Sequence, residues 1–118
     1  MTKLEYIENV RNCSVMNDRV MALEKLYGCK LGEELAKVIS YAGTIDFFDE
    51  ERRAFSFEEI LNADEKYGVA FAERKLIPVI DAYDNDYIVY SFEKNQWAKV
   101  NLSDLVLFKI RDSFEKVL

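Results

Sequence analysis

The sequence predicts an α+β fold, with an antiparallel sheet in the C-terminal half and helices packed on one side of it. Two observations carry this expectation. Apolar residues recur at helical spacing before Gly43 and again after Ser56, and the period changes to that of strands after Gly68. Helices, a strand, one more helix and then a meander is an order that suits α+β architecture and not alternating βαβ units. The 118 residues, half of them hydrophobic, suffice for one domain spanning 1–118 with its own core.

The elements follow in chain order. Thr2 and Glu5 form a T-x-x-E capping box that opens a helix to about Arg11. A second helix is expected from Asp18 to Tyr27, with Asn17 as N-cap and Met16, Val20, Leu23 and Tyr27 on one face, and Gly28 ends it. A third covers Glu33 to Ala42, with an apolar stripe of Leu31, Leu35, Val38, Ile39 and Ala42, and Gly43 can end it with a positive φ. Thr44 to Phe48 reads as a strand, followed by a charged turn from Asp49 to Arg53. Ser56 and Glu59 form a second capping box. Phe55 and Ile60 fit its hydrophobic staple, predicting a helix from Phe57 to Tyr67 closed by Gly68.

The last third alternates strands and turns. Leu76 to Ile80 is an apolar strand in which Pro78 implies an edge or a bulge. Asp84-Asn85-Asp86 is turn chemistry, Tyr87 to Phe92 is rich in strand formers, and Asn95-Gln96 turns the chain back into Trp97 to Val100. A further strand is expected from Leu105 to Ile110, and Asp112 and Glu115 open a closing helix.

The net charge of −6 repels phosphate backbones and suits a basic partner, so no nucleic-acid partner is expected. Glu5 and Glu8 interrupt any signal-like apolar run, and no segment has the ~20 apolar residues of a membrane helix. A cytoplasmic location and no membrane partner are therefore expected. Cys13 and Cys29 lack metal or redox spacing and read as small core residues.

No histidine is present, which removes Ser-His-Asp and Cys-His mechanisms and His metal sites. No glycine-rich phosphate loop occurs. The run Asp81-Ala82-Tyr83-Asp84-Asn85-Asp86 departs from the calcium-loop pattern, with Tyr83 at its third position and Asp86 at its sixth. The sequence thus predicts no enzyme, cofactor or metal. What remains is composition suited to a protein partner: Tyr83 among Asp81, Asp84 and Asp86, and a second acidic turn with Asp46, Asp49, Glu50 and Glu51. These eight residues are the candidate partner-binding set.

Phe55-Ser56-Phe57-Glu58-Glu59-Ile60-Leu61, Leu76-Ile77-Pro78-Val79-Ile80-Asp81 and Asp86-Tyr87-Ile88-Val89-Tyr90 stand in this order, followed by Trp97 and a run from Asp112 to Leu118. This series resembles the SUKH superfamily, which includes the fungal cell-wall synthesis regulator and many bacterial toxin-immunity proteins. Its members carry a helix, an LIP strand, a turn with a GDYI strand, a Trp strand and a closing helix. Glu24, Gly28, Leu31 and Gly43 resemble the superfamily's N-terminal pattern more loosely. Gly32 stands where proline is usual, and Asn85 where the glycine of GDYI is usual, although Asn tolerates positive φ. The resemblance covers Val20 to Leu118 and implies helices on one sheet and a binding role. It implies a cytoplasmic immunity protein that neutralises a cognate toxin, with an intracellular adaptor or regulatory domain as the alternative.

Overall fold

The computed structural model describes residues 1–43, 45–46 and 52–118. Thr44, Phe47 and Phe48 of the expected first strand, and Asp49, Glu50 and Glu51 of the candidate set, lie outside the described residues.

The N-terminal part is helical: α1 Lys3–Asn12, α2 Asn17–Tyr27 and α3 Glu33–Tyr41. Thr2 caps α1 through the expected box, its hydroxyl accepting Glu5 N–H. Asn17 is the first helical residue of α2, and Met16 takes the N-cap without a side-chain bond. Gly28 ends α2 at φ +67, and Lys75 Nζ donates to the carbonyl of Tyr27 there. Gly43 does not take a positive φ. The end of α3 is satisfied by Arg19 instead, whose guanidinium donates to the carbonyls of Ile39, Ser40 and Ala42 at 3.2, 3.3 and 2.9 Å. A cation on a neighbouring helix meets the orphan carbonyls and the negative end of the dipole, so no left-handed residue is required.

Next come β1 Ile45–Asp46, β2 Arg53–Ala54, α4 Phe57–Leu61 and α5 Ala63–Tyr67. The single expected helix is thus two. Asn62 breaks it with φ −104 and ψ 18, and its amide donates to the Glu58 carbonyl at 3.0 Å, a local bond that competes with helical geometry. The Ser56–Glu59 box forms as expected, and Phe55 and Ile60 of the staple are both buried. Glu59 also receives both guanidinium nitrogens of Arg53 at 2.8 Å and Lys66 Nζ at 2.6 Å, tying α4 and α5 to β2.

The C-terminal part is the meander β3 Leu76–Asp81, β4 Asp86–Ser91, β5 Gln96–Asn101 and β6 Leu107–Arg111, closed by α6 Phe114–Val117. All neighbours pair antiparallel in the order β1-β2-β3-β4-β5-β6. The register shifts between Pro78 and Ile80, which is the bulge that proline implied. β6 starts two residues later than expected because Leu105 takes φ +56 and the Asp104 carboxylate accepts Val106 N–H. Ser113, not Asp112, caps α6, while Asp112 pairs with Lys116.

Alternation along β4 and β5 puts Tyr90 and Trp97 on one face and Tyr87 and Val100 on the other. The first face is roofed by helices. Trp97 meets Phe114 of α6 at 4.9 Å, Phe114 meets Tyr6 of α1, and Trp97 Nε1 donates to Glu34 of α3 at 2.7 Å. On the opposite face, Tyr87 packs with Phe55 and with Tyr67 of α5, so α5 contributes to this face while α1, α3 and α6 roof the first. Cys13 and Cys29 are free and partly exposed, so neither is the core residue expected. Each sits beyond a helix end, where its thiol lies within hydrogen-bonding range of a carbonyl, Lys37 for Cys13 and Tyr27 for Cys29.

Candidate functional site

A meander alternates its connections between the two ends of the sheet. Asp46 pairs with Arg53, and Arg53 with Asp81. Tyr87, the partner of Asp81, pairs with Val100, and one residue further out Asp86 pairs with Asn101. This row fixes one end of the sheet, from which the β3–β4 turn and the β5–β6 connection leave. Of the candidate residues, Asp46, Asp81, Tyr83, Asp84 and Asp86 are brought to this end.

The β3–β4 turn has an unusual backbone. Tyr83, Asp84 and Asn85 take φ of +82, +55 and +63. Asp86 N–H donates to the Tyr83 carbonyl at 3.0 Å. Positive φ at both central residues of that turn is the hairpin geometry that follows the twist of the strands. Asp81 closes its near side by accepting Tyr83 N–H at 3.1 Å, and Ala82 N–H donates to the Asp86 carbonyl at 2.9 Å. Left-handed backbone at a bulky residue is costly. Its result is that Tyr83 stands 61% exposed beyond the sheet.

The acidic side chains divide by role. Asp84 is exposed. Asp86 is half-buried and accepts Asn101 Nδ2 at 2.8 Å, so its carboxylate builds the turn. Asp81 is half-buried beside Arg53 and Tyr87. Burial, with the Asp81 charge added to it, pushes the Tyr87 phenol up to about 12. Asp81 therefore belongs as much to the wall of the sheet as to its exposed rim.

Sequence reasoning missed the neighbouring connection. Asn101 Nδ2 also reaches the Asp84 carbonyl at 3.3 Å, and Leu102 N–H donates to the Asn85 carbonyl at 3.0 Å. The β5–β6 connection is thus hydrogen-bonded to the β3–β4 turn and carries exposed Asp104 and Val106. Its signal in the sequence was Asn101-Leu102-Ser103-Asp104, which has the composition of a turn. Among the described residues, no three Cys, Asp or Glu side chains are grouped to hold a metal ion, and no helix is long and apolar enough to cross a membrane. No family model, curated protein or solved structure matches the chain.

Proposed function

We propose that the chain is a protein-binding module whose working surface is the turn end of its sheet. Its particular role in this reading is that of an immunity protein, which neutralises a cognate toxin in the cytoplasm by covering it. The observation that carries the reading is Tyr83, held 61% exposed by three consecutive left-handed residues and flanked by aspartates. Tyrosine supplies a large contact area at low conformational cost, and it is enriched where interfaces hold their binding energy. The aspartates and the net charge of −6 favour a basic partner and speed its encounter. The resemblance to the SUKH superfamily supports the immunity role over a catalytic one.

The test uses the toxin encoded beside the chain's own gene, co-expressed with it in a sensitive host. The expected result is survival with the wild-type chain and loss of protection with Tyr83→Ser or Asp84→Lys, both exposed positions. Tyr83→Ser keeps the melting temperature nearly unchanged, and Asp84→Lys lowers it modestly because lysine suits the left-handed backbone there less well than aspartate. Asp84→Lys should slow association about tenfold at low salt, with the difference shrinking as salt rises. Failure of the wild-type chain to protect would remove the immunity role and favour the adaptor reading. Unchanged protection by both variants would move the binding face elsewhere.

A further inference from the structure

We infer that the β5–β6 connection is the second half of the same interface, and that its occupant is a folded protein whose basic face surrounds an apolar recess for Val106. This rests on the reading that the turn end of the sheet is where a partner binds. Three observations carry it. First, the two connections form one hydrogen-bonded unit: Asn101 Nδ2 bonds the Asp84 carbonyl and the Asp86 carboxylate, and Asn85 accepts Leu102 N–H. Second, each half exposes one apolar side chain, Tyr83 at 61% and Val106 at 62%. Neither exposure is incidental fraying. Val106 N–H is held by Asp104, and Leu105 before it is fixed at φ +56 with its N–H on the Asn101 carbonyl. Third, residues 81–86 and 101–106 contain four aspartates and no lysine or arginine.

Those observations select the occupant. A second copy of this chain would bring aspartates against aspartates, and a nucleic acid would bring phosphates against them. A basic protein face is complementary to both the charge and the apolar pair. The ladder between the turns fixes the spacing of the two apolar residues before binding, so little ordering remains to be done on contact. Asn101 is then a positioning residue: it touches no partner and acts through the turns it joins.

The experiment measures association and dissociation of the purified chain with the neighbouring toxin, for wild type, Val106→Asp, Ser103→Lys, Ser103→Glu and Asn101→Ala. Ser103 and Val106 are exposed, so their variants keep the fold. Val106→Asp is expected to weaken binding at least tenfold, chiefly through faster dissociation. Ser103→Lys should slow association and Ser103→Glu should speed it, a change of sign that bulk alone does not produce. Asn101→Ala should weaken binding of the wild-type surface, but it should cost little more once Val106→Asp is present. Wild-type kinetics for the Val106 and Ser103 variants, with binding still lost in Tyr83→Ser, would overturn this inference and leave the proposed function standing. Failure of the wild-type chain to bind would remove both. A dimer of the chain appearing in sedimentation and abolished by Val106→Asp would assign the surface to self-association and overturn the basic partner.

Discussion

At the scale of single residues, two side chains outside the candidate surface hold the fold at its joints. Trp97 is 1% exposed, edge-on to Tyr90 and Phe114, and donates its indole N–H to Glu34. That carboxylate also accepts Phe114 N–H at 3.1 Å, so one acid links α3, β5 and α6. Trp97→Ala is expected to cost about 3–5 kcal/mol in urea unfolding; a loss below about 1 kcal/mol would mean that the joint bears little of the stability. Glu59 is the second joint. The Arg53 guanidinium holds its carboxyl well below the usual carboxylate range, with Lys66 and Ser56 N–H adding to this against the effect of burial. A depressed folded value stabilises the protein above the unfolded carboxylate range, and the contribution is lost as pH falls toward the folded value. Glu59→Gln keeps the capping reach to Ser56 but removes the charge. It should destabilise by about 1–3 kcal/mol at pH 7. The gap from wild type should narrow as pH falls below about 4. A gap independent of pH would show that shape, not charge, is what Glu59 supplies.

At the scale of elements, the β3–β4 hairpin sets stability against presentation. Asp84 occupies a left-handed position that glycine adopts without steric penalty. Asp84→Gly should therefore leave the fold unchanged or more stable by up to about 1 kcal/mol, while removing an exposed charge from the proposed surface. Thermal melting and toxin association, measured on the same preparation, separate the two effects. A variant that loses more than about 1 kcal/mol would show that the aspartate is part of the turn's support. The α3 terminus shows the reverse arrangement. There a glycine was available, and the chain used Arg19 from α2, which also lies over the Phe57 ring at 5.1 Å. One side chain thereby connects α2, α3 and α4.

At the scale of the molecule, much of the architecture was legible because local chemistry and global fold agree. Both capping boxes, the glycine ends of α2 and α5, the proline bulge and the meander follow from patterns a few residues long. What could not be read depends on distance. Arg19 meets Ala42 across 23 residues, and Asn101 meets Asp86 across 15. Neither partner announces itself in sequence. The same limit governed the candidate site: Tyr83 and its aspartates are local and were legible, whereas Val106 and Asp104 join them only through the register of β4 on β5. That register has a kinetic consequence. Among the described residues, strands β3 to β6 pair only with their sequence neighbours, so each ladder closes a short loop at small entropic cost. The long closure is the one that brings α1 and α3 onto the sheet, where Trp97 reaches Glu34 across 63 residues. Refolding should therefore form the β4–β5 hairpin early and dock α3 late. Val89→Ala in the hairpin is expected to slow folding, and Glu34→Gln mainly to speed unfolding. The chain's one tryptophan sits at that last joint, so its fluorescence should report the final step of assembly and lag behind the amide circular dichroism.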